Sequence, residues 1–80
     1  MNLVCICNPN AGGGRALQAL PQLKRTVKHR FVGAEFKLTS ARGHGRDLAR
    51  IAALDGADVV VSIGGDGTLN EVVNGLMDAA

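Results

Sequence analysis

The residues Asp58-Val59-Val60-Val61-Ser62-Ile63-Gly64-Gly65-Asp66-Gly67-Thr68-Leu69-Asn70-Glu71-Val72-Val73-Asn74-Gly75-Leu76-Met77 decide the fold. The first six are a β-branched run of strand length. Gly64 to Gly67 make a tight glycine turn that holds one acid. From Thr68 onward, Leu69, Val72, Val73 and Leu76 fall at i, i+3, i+4 and i+7, one face of a helix. Thr68 and Glu71 also have the spacing of a capping box. Strand, glycine turn and helix start together form the local architecture of a phosphate site. Glycine lets a ligand approach the backbone closely, and free N–H groups at a helix N-terminus favour an anion.

Asp66 is the unexpected residue in that turn. A carboxylate beside a phosphate is repelled unless a divalent cation such as Mg²⁺ bridges the two. The alternative is a base that takes a proton from a hydroxyl during phosphoryl transfer. Asp is also a common turn or cap residue, so the turn alone does not choose among these roles.

Upstream, Leu3 to Cys7 is a continuous apolar run, the mark of a strand covered on both faces. It ends at Asn8-Pro9-Asn10-Ala11-Gly12-Gly13-Gly14, a second glycine turn between a strand and a helix. Neither GxxxxGK[ST] nor GxGxxG occurs in the chain. Arg15 to Arg30 places Ala16, Leu20, Leu23 and Val27 on one face and reads as a helix. Pro21 should kink it, or break it between Leu17 and Pro21. Lys24, Arg25, Lys28 and Arg30 suit its carboxyl end as solvated, dipole-matching charges.

Ala34 to Thr39 reads as a less buried strand, with Glu35 and Lys37 on one face and Phe36 and Leu38 on the other. A helix over His44 to Leu54 follows, with Leu48, Ile51 and Ala52 inward. His44 reads as a loop or first-turn residue rather than a ligand.

The order strand-helix-strand-helix-strand-helix predicts a three-layer α/β/α fold on a parallel sheet. Ligands in such sheets sit beyond the carboxyl ends of the strands. Strand order 2-1-3 would make the two glycine turns neighbours. Thr39, Arg15, Arg42 and Arg46 would then lie near the same positive edge, suited to a triphosphate.

Composition narrows the function. The 80 residues are 46% apolar, and their only aromatics are Phe31 and Phe36. Stacking platforms for single-stranded nucleic acid are therefore missing. A net charge of +2 is no nucleic-acid footprint. No run approaches the ~20 apolar residues that span a bilayer. The amino end has no basic region before its apolar run, unlike a signal peptide. Cys5 and Cys7 lack metal spacing and read as buried thiols in a reducing cytoplasm.

Asn8-Pro9-Asn10-Ala11-Gly12-Gly13-Gly14-Arg15-Ala16, followed by Gly64-Gly65-Asp66-Gly67-Thr68-Leu69-Asn70-Glu71-Val72-Val73-Asn74-Gly75-Leu76, resembles the diacylglycerol kinase catalytic domain. That family includes bacterial lipid kinases and the sphingosine and ceramide kinases. The GGDGT turn alone is shared with NAD kinases, but the early glycine turn argues against them. The resemblance covers the whole chain. It implies an ATP-dependent kinase that phosphorylates a lipid hydroxyl.

On this resemblance Asn8, Pro9, Asn10, Ala11 and Gly12 form the first nucleotide loop, and Thr39 helps to hold the nucleotide. Gly64, Gly65, Asp66, Gly67, Thr68, Leu69 and Asn70 wrap the phosphates, with Asp66 near Mg²⁺ or the reacting hydroxyl. Many members carry serine where this chain has Ala11, so no side-chain contact is expected there. Family enzymes are several times longer, and their later region holds the lipid and supplies a further carboxylate. The 80 residues are thus expected to be an amino-terminal, truncated part of the nucleotide-binding domain, inactive alone. An unpaired edge strand would invite homo-oligomers. A cytoplasmic protein, peripheral to the membrane at full length, is the expected location. A non-catalytic nucleotide-binding or dimerising module is the alternative of a different class.

Overall fold

The computed structural model describes all of residues 1–80. Strand β1, Leu3–Cys7, is buried along its whole length. It lies at the centre of a three-stranded parallel sheet, between β2, Glu35–Leu38, and β3, Val59–Ile63. Cys7 stands opposite Leu38 on one side and Ile63 on the other, so all three strands end at one edge.

The unbroken apolar run of β1 follows from this central place. Alternate residues of a strand face opposite layers. Leu3 and Cys5 pack with Val27 of helix α1, Arg15–Arg30, and with Ala34, Phe36, Val61 and Ile63. Val4 and Ile6 pack with Ala49 and Ala52 of α2, His44–Leu54, and with Val72 of α3, Asp66–Ala79. One helix therefore covers one face and two cover the other, the expected three layers in the expected 2-1-3 order. Burial of the Ile6 side chain alone contributes on the order of 2 kcal/mol.

Helices α2 and α3 meet backbone to backbone. A Cβ added at Gly75 would collide with the Arg46 carbonyl oxygen and stand 2.8 Å from Ala49 Cβ. Close approach of this kind favours small residues at the seam. It also explains why the inward faces differ from the periodicity. In α2, Ala49 and Ala52 are buried and Ile51 is exposed. In α3, Thr68, Val72 and Gly75 are buried, whereas Leu69 and Val73 are about half exposed. The seam turned each helix toward its small residues, leaving Ile51, Leu69 and Val73 at the flank while Leu48, Val72 and Leu76 stay packed in the core.

Helix α1 runs as the single expected helix through Pro21, which lies exposed, and the alternative break before it does not occur. Two further boundaries differ from expectation. Strand β2 is shorter than Ala34 to Thr39, because Thr39 already belongs to the loop beyond the sheet edge. Helix α3 begins at Asp66, two residues before Thr68, and no side chain caps it. The capping box is not formed. Its Glu71 carboxylate bonds to another helix instead.

Candidate phosphate site

Three loops leave the carboxyl edge of the sheet together. The Asn8 N–H donates to the Ile63 carbonyl at 3.0 Å, and the Thr39 N–H to the Cys7 carbonyl at 2.9 Å. These bonds fasten the start of each loop to a neighbouring strand end. Between the loops lies a mostly polar cleft of about 260 Å³. Its walls are Asn8 and Asn10 from the first loop, Thr39 to Arg42 from the second, and Gly67, Thr68 and Glu71 from α3. A cleft of similar size at the opposite edge, beside Asn2, Glu35 and Asp55, lies below the amino ends of the strands. Ligands of such sheets bind beyond the carboxyl ends, and only the first cleft meets a helix N-terminus there.

The two glycine turns are built differently. In the first, Asn8 Oδ1 accepts the Asn10 N–H at 3.0 Å, and the Asn8 carbonyl accepts the Ala11 N–H at 3.1 Å. Ala11–Gly14 then forms a single 3₁₀ turn in which Gly12, Gly13 and Gly14 have φ of 65°, 67° and 98°. Left-handed backbone of this kind costs any other residue about 1–2 kcal/mol per position. Successive N–H groups in such turns make a concave anion seat.

In the second turn, Gly64 has Thr68 behind it. A Cβ there would lie 2.5 Å from Thr68 Oγ1 and 2.9 Å from Thr68 Cβ. Gly65 and Gly67 have no atom within 4 Å of where a Cβ would stand, and neither needs a positive φ. The first intrahelical bond of α3 runs from the Leu69 N–H to the Gly65 carbonyl at 3.1 Å. The amides of Asp66, Gly67 and Thr68 precede it and have no partner inside the helix. Gly67 and Thr68 stand in the cleft wall, at the end of the helix where the dipole favours negative charge.

Asp66 is exposed and makes no ion pair or side-chain hydrogen bond. It is therefore not tied down as a cap. Glu71, the other carboxylate of the site, is fully engaged. Its Oε2 accepts the Gly43 N–H at 3.1 Å and its Oε1 the Gly45 N–H at 3.0 Å. On the far side of that loop, His44 Nδ1 accepts the Ser40 N–H at 2.9 Å. His44 thus serves as a first-turn latch.

Of the residues expected to bind, Asn8, Asn10, Thr39, Gly67 and Thr68 line the cleft. Pro9, Ala11, Gly12, Gly64, Gly65 and Asp66 belong to the turns that border it. Leu69 is half exposed on the helix flank, and the Asn70 carbonyl accepts the Asn74 side-chain N–H at 2.9 Å. Arg42 is the only cation in the cleft wall. Arg15, directly after the first glycine turn, and Arg46, in the first turn of α2, do not line it. The Arg46 guanidinium reaches Asp78 at 2.6 and 2.8 Å, holding that carboxyl below its usual range by hydrogen bonding.

Ser40, Ala41 and Glu71 were not foreseen as walls. Ser40 and Ala41 carry no motif, and the capping-box spacing had given Glu71 another explanation. Burial pushes both the Cys5 and Cys7 thiols up, so they stay protonated and inert as ligands or nucleophiles. No group of three His, Cys, Asp or Glu is arranged to hold a metal ion. No helix is long and apolar enough to cross a membrane.

A parallel sheet with two glycine turns and an open helix N-terminus at its carboxyl edge defines an α/β unit with the geometry of a candidate phosphate site. Residues 2–80 match the diacylglycerol kinase catalytic domain family, and the chain belongs to that family of lipid kinases. It is 35% identical over 77 residues to human sphingosine kinase 1, covering 95% of this chain and 20% of that protein. It is 35% identical over 71 residues to Bacillus subtilis diacylglycerol kinase, covering 89% of this chain and 23% of that protein. A Bacillus anthracis crystal structure assigned as a diacylglycerol kinase superposes with a TM-score of 0.85 at 26% identity. That superposition covers 96% of this chain and 26% of the other. The chain thus spans about a quarter of the length of these relatives.

Proposed function

We propose that these residues form the ATP-phosphate-binding part of a lipid kinase that transfers the γ-phosphoryl group of ATP to a lipid hydroxyl. The observation that carries this reading is the empty space at Gly65 and Gly67. Packing explains Gly64, but nothing in the chain requires glycine at the two positions beside the free amides of α3. A ligand that must approach the main chain accounts for both. The relatives named for diacylglycerol and for sphingosine support a lipid alcohol as acceptor.

The amides of the α3 N-terminus would hold phosphate oxygens, with Arg42 and Thr39 on the facing wall. In the transfer, a bond forms from the lipid hydroxyl oxygen to phosphorus. The bond from phosphorus to the ADP oxygen breaks, and the hydroxyl proton leaves. Asp66 is the free carboxylate at the turn and would either take that proton or share Mg²⁺ with the phosphates. When bound, Mg²⁺ would neutralise phosphate charge. With a single available carboxylate here, phosphate oxygens and retained waters would supply its other ligands. Positioning and charge compensation supply most of the rate in such reactions.

Gly65→Val is the direct test. The backbone at Gly65, φ −91° and ψ −164°, accepts a β-branched residue, and the side chain would project into space that is empty without ligand. ATP affinity measured by calorimetry with Mg²⁺ should fall at least about tenfold, the loss of one charge-assisted bond. Unchanged affinity would place the phosphates elsewhere. In a protein of the relatives' full length carrying these residues, Asp66→Asn should abolish transfer to diacylglycerol or a sphingoid base while ATP still binds. Transfer to NAD instead of a lipid would reverse the assignment of substrate. The 80 residues alone are expected to show no transfer.

A further inference from the structure

We infer that Glu71 is a positioning residue for the nucleotide cleft, a role that rests on the reading of the cleft as an ATP site. Glu71 stands on α3, one turn beyond the glycine turn, yet both its oxygens bond to the start of α2. Helix α2 has no side-chain cap of its own; its N-cap is Gly43, with a left-handed φ of 86°. The cap comes from across the seam, through the Gly43 and Gly45 amides. The carboxylate thus ties the loop that carries Thr39 and Arg42 to the helix that carries Gly67 and Thr68. These are the two facing walls of the cleft.

A second observation comes from Gly45. It is buried, and a Cβ there would lie 2.8 Å from Glu71 Oε1. Its φ is not positive, so the backbone does not require glycine. The carboxylate contact does. Two N–H donors and the positive end of α2 also compensate the charge of Glu71. An uncompensated carboxylate in this wall would repel phosphate. With the Gly43 and Gly45 amides bonded to Glu71 and the His44 amide to the Ala41 carbonyl, the N-terminus of α2 offers an anion fewer free donors than that of α3.

The test uses three variants of the 80-residue chain, each held well below its melting temperature. Glu71→Ala removes both acceptors. Glu71→Gln keeps one acceptor oxygen and turns an N–H₂ donor toward the other amide. Gly45→Ala leaves Glu71 intact but pushes its carboxylate away. Amide hydrogen exchange at Gly43 and Gly45 should accelerate at least about tenfold in Glu71→Ala and in Gly45→Ala. ATP affinity, by calorimetry with Mg²⁺, should weaken by about tenfold in the same two. Glu71→Gln should fall between wild type and Glu71→Ala. Adding Gly45→Ala to Glu71→Ala should cost little more, because the group it displaces is gone.

Released amides with ATP affinity within twofold of wild type would overturn the inference, because the loop would be free without consequence for the cleft. Weakened affinity with both amides still protected would overturn it too, pointing to direct contact. If the unmodified chain bound no ATP, the nucleotide reading would fail, and the ligand role of Glu71 with it. The exchange rates would still decide separately whether Glu71 holds the loop.

Discussion

The two glycine turns look alike in sequence and are glycine-rich for opposite reasons. In Gly12-Gly13-Gly14 the requirement is conformational. All three residues are left-handed, and a Cβ at Gly13 or Gly14 would meet nothing. In Gly64-Gly65-Asp66-Gly67 the requirement is spatial, and only Gly64 meets it inside the chain, through Thr68. The first turn is thus specified by the fold, whether or not a ligand binds. The second is specified half by the fold and half by something the chain does not contain. Glycine content alone therefore does not locate a binding site. Glycines that packing and backbone angle leave unexplained point to a ligand only where, as at Gly65 and Gly67, they also flank free amides at the sheet's carboxyl edge; Gly33, equally unexplained, does not.

The largest effect on stability that separates the turns is expected at Gly64. Its φ of 156° and the 2.5 Å approach to Thr68 Oγ1 together leave no room for a methyl group. Thr68 is buried and cannot swing aside. Gly64→Ala should destabilise the chain by about 2–3 kcal/mol, read from urea unfolding. Thr68→Ala should relieve part of that loss in the double variant, since it removes the hydroxyl and leaves only the Cβ contact. A Gly64→Ala chain as stable as wild type would show that the second turn is loose, and the contrast with the first would disappear.

A smaller loss is expected in the first turn. Gly13→Ala meets no steric neighbour but must hold φ near 67°, at a cost of about 1 kcal/mol. Asn tolerates this region better than Ala, so Gly13→Asn should recover some of the loss. If Gly13→Ala and Gly13→Asn were equally stable, strain would not be the reason for glycine there.

How much of this could be read in advance follows the same division between local and tertiary causes. The parallel sheet, its 2-1-3 order and the meeting of the turns were legible because β1 is apolar throughout and each glycine turn follows a strand. Local periodicity failed where one helix meets another. The seam at Gly75 and Ala49 rotated α2 and α3, exposing Ile51, Leu69 and Val73. Thr68 and Glu71 had the spacing of a capping box, but the carboxylate found two amides on α2 instead. Arg46 was expected near the positive edge, and its guanidinium is engaged by Asp78. In each case the partner lies more than 25 residues away in the chain, beyond the reach of any pattern within a single helix.

The smallest expected effect on stability is the most informative. Gly67→Ala should change unfolding free energy by less than about 0.5 kcal/mol, and Gly65→Ala should lose about 0.5 kcal/mol, because Gly65 is the N-cap of α3 and alanine caps less well than glycine. Neither position has a neighbour for the new methyl group or a positive φ to strain it. Position 67 lies in the first turn of α3, where Ala is the better helix former, so a slight gain is expected there. Apart from the modest N-cap preference at Gly65, glycine at these two places therefore gives the free chain nothing that alanine would not. If both variants held their stability but bound ATP more weakly, the second turn would owe its glycines to a ligand and the first to its own backbone. If either variant unfolded like Gly64→Ala, all three glycines would serve packing, and the sequence of this turn would carry no information about what binds there.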